Sequence, residues 1–182
     1  MNLEEKQISY DYIYKGKIIN LRKDTALLPD GNTALREVVE HPGGVCVAAI
    51  TKKNEILMVR QFRYPYMENV LEIPAGKRDK GNESPLECGK RELKEETGAV
   101  AEKFINLGQL YPTPGYCGEI IWLYAATGIT FGQAQPDSDE FLSVEKIPFE
   151  KAVDMVLEGE IKDAKTQTAI LKIKLLKDKG IL

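Results

Sequence analysis

From Gly76 to Ala99 the chain reads GKRDKGNESPLECGKRELKEETGA, a stretch with clear start and stop signals for one short helix. Serine at 84 suits an N-cap and Pro85 the first helical position. Glu87, three residues after the serine, completes a capping box. Gly98 is the natural stop, because glycine accepts the left-handed conformation that closes a helix. These signals predict a helix over Pro85–Thr97, with Leu86, Gly89, Leu93 and Thr97 as a narrow apolar stripe. Gly89 would let the helix approach its neighbour closely, at a cost of up to about 1 kcal/mol relative to alanine.

Glu92, Glu95 and Glu96 stand at i, i+3 and i+4, expected on the side away from that stripe. Like charges at these spacings destabilise a helix by a few tenths of a kcal/mol each. Negative charge in the last turn also opposes the macrodipole. A solvated acidic face is the ordinary fate of such a run. The other reading is a site for a hard divalent cation, since oxygen ligands without histidine or cysteine suit magnesium, manganese or calcium rather than zinc. The carboxylates alone leave both open.

The wider spacing adds to this. Glu83, then Arg91-Glu92-Leu93, Glu95-Glu96 and Gly98-Ala99 at fixed distances resemble the Nudix box of the Nudix hydrolases. One departure is visible: six residues separate Gly76 from Glu83 where the family has five. Asn82 reads as a single insertion in the loop before the helix, and it leaves the helix register intact. Arg60-Gln61-Phe62-Arg63-Tyr64, Leu71 to Gly76 and Tyr111 to Tyr116 look like the ADP-ribose pyrophosphatase branch, with Pro114 at its specificity position. The resemblance covers roughly Arg36 to Leu176.

The resemblance implies Mg²⁺-dependent hydrolysis (Mn²⁺ as substitute) of ADP-ribose to AMP and ribose 5-phosphate. Glu92 and Glu96 would be metal ligands, with Glu95 on a second ion or its waters and the Ala75 carbonyl completing the site. Glu83 and Arg91 would form a supporting ion pair. Glu140, then Asp139, in the acidic segment 137–140 would supply the base. Arg63, Arg36, Arg60, Glu72, Pro114 and Glu119 would meet the substrate, arginine because its guanidinium binds phosphate oxygens bidentately. Phe62, Tyr64, Tyr66 and Tyr116 are candidates to stack on adenine. Rival readings use the same residues: a pyrophosphatase for another nucleoside diphosphate sugar such as GDP-mannose, or a non-catalytic ADP-ribose-binding regulator.

Outward from the box, 182 residues at 43% hydrophobic suit one domain with an N-terminal appendage. A net charge of −3 gives no footprint for nucleic acid or an acidic membrane. No apolar run reaches a membrane span and the N-terminus lacks a signal pattern, so a cytoplasmic setting is expected. Three cysteines without CxxC spacing argue against a disulfide framework or zinc. One histidine and no GxSxG leave a serine triad without support. The glycines at 76 and 81 imitate a P-loop, but Asn82-Glu83 replace its lysine and hydroxyl residue.

Pattern reading places strands near Tyr10–Tyr14, Ile18–Leu28 and Ala34–Glu40, with a turn at Pro29–Asn32. Val45–Thr51 and Ile56–Phe62 read as a hairpin. Strands follow near Val70–Ile73, Phe104–Leu110, Ile120–Ala126 and Phe141–Ile147. Helices follow at Phe149–Leu157 and Lys165–Lys177, the latter N-capped by Asp163. Fold class is α/β: by resemblance, a Nudix-type α/β/α sandwich with a mixed central sheet over 41–182. Residues 1–40 would be a small antiparallel sheet that makes a homodimer.

Overall fold

The computed structural model describes residues 2–78, 81–135 and 141–182. Strands β1 (Lys6–Lys15), β2 (Asn20–Leu27) and β3 (Thr33–Glu40) pair in antiparallel order β1-β2-β3. The β2–β3 turn closes on bonds from Leu28 N–H to Asn32 O (2.8 Å) and Gly31 N–H to Leu28 O (3.0 Å). Gly31 adopts φ +87° there, which glycine accepts without a Cβ penalty. Arg22 ties the sheet across strands, with Nε 2.7 Å from Asp24 and Nη1 2.5 Å from Glu40. Residues 111–120 return to β3: Val39 N–H donates to Tyr116 O at 2.8 Å and Gly118 N–H to Val39 O at 2.9 Å. Met1–Gly43 and Tyr111–Ile120 together form one compact unit.

The second unit, Gly44–Leu110 with Ile121–Leu182, holds the other elements. These are β4 (Gly44–Ala49), β5 (Glu55–Arg63), β6 (Glu68–Glu72), β7 (Ala75–Lys77), α1 (Pro85–Thr97), β8 (Ala99–Val100), β9 (Lys103–Leu110), β10 (Ile121–Thr127), β11 (Thr130–Phe131), β12 (Leu142–Pro148), α2 (Phe149–Leu157) and α3 (Ala164–Asp178). A mixed sheet runs β7-β4-β10-β9, with β4 and β10 parallel and β7 and β9 antiparallel to them. A second sheet runs β12-β5-β6, antiparallel throughout.

Because strand side chains alternate in direction, β4 serves two cores. Val45, Val47 and Ala49 pack with Tyr124, Ala126 and the α1 residues Cys88 and Leu93. Cys46 and Ala48 pack with Leu123, Ala125, Phe149 of α2 and Ile170 and Ile173 of α3. The result is the expected α/β/α sandwich with a mixed central sheet. Gly89 explains how close α1 lies: a Cβ there would sit 3.1 Å from the Cγ2 atoms of both Val45 and Val47.

One expectation fails. Val45–Thr51 and Ile56–Phe62 do share a tight turn, with Thr51 N–H on Glu55 O at 2.8 Å. Among the described residues, however, they meet only at the Ile50–Ile56 bridge and diverge into different sheets. All of β4, and Ile56–Val59 of β5, are buried on both faces. Such continuous apolar runs carry no period-2 signal to name a partner strand. Among the described residues no helix is long and apolar enough to cross a membrane.

Candidate active site

Helix α1 begins and ends where its sequence dictates. Ser84 Oγ accepts from Glu87 N–H at 3.2 Å, and Gly98 closes the helix at φ +69°. The Glu87 carboxylate pairs with Lys90 Nζ at 2.8 Å. The stripe is wider than its apolar letters suggest. Cys88, Gly89, Glu92, Leu93, Glu96 and Thr97 are all buried, so Glu92 and Glu96 lie on the packed side and not away from it. Positions 92 and 96 neighbour 93 and 97 around the helix, and β7 lies against that edge.

Two contacts define the result. Glu96, 2% exposed, accepts the backbone N–H of Ala75 at 3.1 Å. Glu92, 8% exposed, lies so close to Gly76 that a Cβ there would fall 1.9 Å from its Cδ and 2.1 Å from its Oε1. The Ala75-Gly76 strand end and the two carboxylates thus form one cradle, possible only because residue 76 has no side chain.

The positive charge that the acidic cluster requires comes first from its own helix. Arg91 Nη1 lies 2.7 Å from both Glu92 Oε1 and Glu95 Oε2, and Nε and Nη2 each lie 3.2 Å from Glu83. Burial works against the Arg91 charge, but Glu83, Glu95 and Glu92 outweigh it and raise its pKa. The expected Glu83–Arg91 pair is therefore present.

Among the described residues no three His, Cys, Asp or Glu side chains gather into a ready-made cation cage. The donor set nevertheless fits a hard divalent ion: the buried carboxylates of Glu92 and Glu96 and a cradle at Gly76 that a Cβ would fill. Burial pushes the neighbouring Cys88 thiol up to about 12, so it is no competing soft ligand.

A second charged group lies at the end of β6. Glu72, 2% exposed, accepts from Arg63 Nε at 2.6 Å and Nη2 at 2.8 Å, and from Lys165 Nζ. Burial alone would push the Glu72 carboxyl up, yet Arg63 and Lys165 hold it below the ordinary carboxylate range. Lys165 also contacts Asp163 at 2.9 Å, and these two acids outweigh the burial that disfavours its charge. Arg60 pairs with Glu145 of β12 at 2.7 Å.

The other substrate candidates belong to the first unit. Arg36 makes a two-point pair with Glu5 (2.7 and 2.9 Å). Pro114 lies in the turn closed by Cys117 N–H on Thr113 O at 3.0 Å. Glu119 faces His41 Nδ1 at 3.4 Å. Glu140 and Asp139 lie outside the described residues. The second unit thus brings Ala75, Glu92, Glu95 and Glu96 together, with Arg63 and Glu72 on the strands beside them.

Comparison with known proteins decides the family. A NUDIX domain model matches residues 33–168. The chain belongs to the Nudix hydrolase family. A second model, the nucleoside diphosphate sugar hydrolase N-terminal domain, matches residues 5–39. The Nudix chain is 40% identical over 176 residues to the ADP-ribose pyrophosphatase of Bacillus subtilis (strain 168), covering 96% of this chain and 95% of that one. It is 41% identical over 174 residues to the methanol dehydrogenase activator of Bacillus methanolicus, 94% of each. The crystal structure of an ADP compounds hydrolase matches with a TM-score of 0.85 over 100% of both chains at 20% identity, a likeness of fold.

Sequence reading named Asp163 as the N-cap of α3, as found, but missed that Lys165 of this Nudix hydrolase stands behind Glu72. Its signal was present: Lys165 occupies the first turn of a helix, where the macrodipole disfavours a cation.

Proposed function

We propose that this chain hydrolyses the diphosphate of ADP-ribose, or a related ADP-sugar, to AMP and ribose 5-phosphate with Mg²⁺. The observation that carries the diphosphate chemistry is the buried Glu92–Glu96 pair against Ala75-Gly76. The adenine nucleotide is supported by the full-length likeness to an ADP-ribose pyrophosphatase. Glu92 and Glu96, with Glu95 and the Ala75 carbonyl, would hold magnesium, or manganese in its place. A divalent ion there neutralises diphosphate charge and makes water more acidic.

The chain's own groups do the rest. Arg63 binds a phosphate oxygen, with Arg36, Arg60, Glu72, Pro114 and Glu119 as further substrate contacts. Glu140, or Asp139 next to it, takes a proton from the attacking water. The water oxygen bonds to one phosphorus, the bridging P–O bond breaks, and the bridging oxygen leaves with the other product.

A second reading, a regulator that binds ADP-ribose without cleaving it, is favoured by the likeness to a protein named as an activator. A panel of ADP-ribose, other ADP-sugars and GDP-mannose, assayed with magnesium and with products identified, separates these. AMP from ADP-ribose at the highest kcat/KM is the expected result. Preference for GDP-mannose would move the substrate, and tight ADP-ribose binding without hydrolysis would favour the regulator.

The reading includes a homodimer built through residues 1–40. Strand β1 is the edge of its sheet, and all ten of its residues are exposed, Ile8, Tyr10, Tyr12, Ile13 and Tyr14 among them. An exposed apolar edge strand invites pairing with another chain. Sedimentation is expected to give a dimer that Ile8→Asp with Tyr10→Asp converts to monomer; a monomeric wild type ends the idea. A cytoplasmic setting goes with this reading, since the free thiols Cys46, Cys88 and Cys117 persist in a reducing compartment.

A further inference from the structure

Lys165 is a cation in the first turn of α3, and only 12% of its side chain is exposed. Neither fact favours a lysine, because the helix N-terminus repels positive charge and burial penalises it. Glu72 and Asp163 hold it in place. The same turn is fastened to the chain after β6: Thr166 Oγ1 accepts from Ile73 N–H at 2.9 Å and donates to Asp163 Oδ2 at 2.5 Å. Glu72 passes the restraint outward by gripping one edge of the Arg63 guanidinium through Nε and Nη2. Arg63 is the outermost member, 39% exposed, and its Nη1 takes part in neither bond to Glu72.

We propose that Lys165 is a positioning residue for anion binding: it pins Glu72, which holds one edge of Arg63 and so orients the other towards a phosphate group. The inference rests on the reading of Arg63 as a diphosphate contact. A purely structural join is the weaker account. Buried ion pairs are poor stabilisers, since desolvation offsets their attraction and apolar pairs join helix to sheet as well. Ordering a guanidinium in advance instead removes a side-chain entropy cost that would otherwise fall on the bound state. Without Lys165, the Glu72 carboxylate loses one of its two cationic partners and is freer to rotate, and Arg63 with it.

The test uses the full chain carrying Lys165→Met or Lys165→Arg, each alone and with Arg63→Lys. A readout independent of turnover is solvent exchange of the Arg63 Nε–H in ¹H–¹⁵N spectra, the signal being assigned by its loss in Arg63→Lys. Exchange about tenfold faster is expected in folded Lys165→Met, and near wild type in Lys165→Arg. In kinetics, Lys165→Met is expected to raise KM about tenfold with kcat within about threefold. It should add nothing further in the Arg63→Lys background. Unchanged Nε–H exchange, additive KM effects, or a fall in kcat alone would overturn the proposal. If Lys165→Met does not fold, Lys165→Gln is read the same way. A wild type that cleaves no nucleoside diphosphate sugar would strike the functional reading instead. The Nε–H signal, and its response to added inorganic pyrophosphate, would still decide the role of Lys165.

Discussion

Glu96→Gln is expected to lower turnover of ADP-ribose by roughly 10³-fold or more, the scale of losing a charged group that offsets transition-state charge. The fold should survive. The amide keeps the shape of the carboxylate and an oxygen for the Ala75 N–H, which now bonds Glu96 Oε2 at 3.1 Å. Removing one negative charge also relieves repulsion from Glu92 one turn away. Steady-state kinetics with magnesium, alongside thermal melting, checks both halves. Activity near wild type would take Glu96 out of the metal site. A large loss of stability would make it a structural residue whose chemistry is incidental.

Gly76→Ala should produce the opposite balance from a packing mutation: small in stability, large in rate. The added Cβ would meet the Glu92 carboxylate at 1.9–2.4 Å and must displace it. That carboxylate is the free end of a flexible side chain. The backbone at 76 is not among the positive-φ glycines either, so alanine is allowed there. The fold can therefore absorb the change by rotating Glu92, at a cost of about 1 kcal/mol or less. The site cannot, because a shift of about 1 Å in a positioned group is enough for a rate loss near 10²-fold. The expected signature is a kcat/KM about 10²-fold lower, with a higher magnesium requirement and a melting temperature within a few degrees of wild type. Unaltered magnesium dependence would mean that the position of Glu92 is unimportant to the ion.

Both predictions depend on how local and distant information combine in α1. The helix bounds were legible because Ser84, Pro85 and Gly98 act through their own backbone, and caps need no tertiary partner. The family was legible by resemblance: the carboxylates at i, i+3 and i+4 left two readings open until Glu83, Arg91 and Gly98 at their fixed distances matched the Nudix box. The direction in which the carboxylates point was not legible. The apolar letters of α1 mark a narrow stripe, and only the packing of β7 shows that Glu92 and Glu96 border it as buried groups. Nor could the sequence separate a cation from a neighbouring side chain as the partner of the acidic run. Helix spacing sets Arg91 beside Glu95 at i+4, whereas Glu83 reaches it from the loop before α1, which no periodicity describes.

The chain between residues 44 and 63 shows the same limit in the fold. Its turn was readable from Lys52, Lys53 and Asn54, but the buried runs Gly44–Ala49 and Ile56–Val59 carry no face to assign, and sheet membership is a long-range choice. The sequence by itself therefore determined the helix and the acidic spacing, because each depends on contacts within a few residues, and pointed to the family through resemblance to the Nudix box. The tertiary structure decided that Gly76 must lack a side chain, that Glu92 and Glu96 face inward, and that Lys165 stands behind Glu72. Each joins segments some 16 to 93 residues apart, and no local preference of the chain fixes that distance.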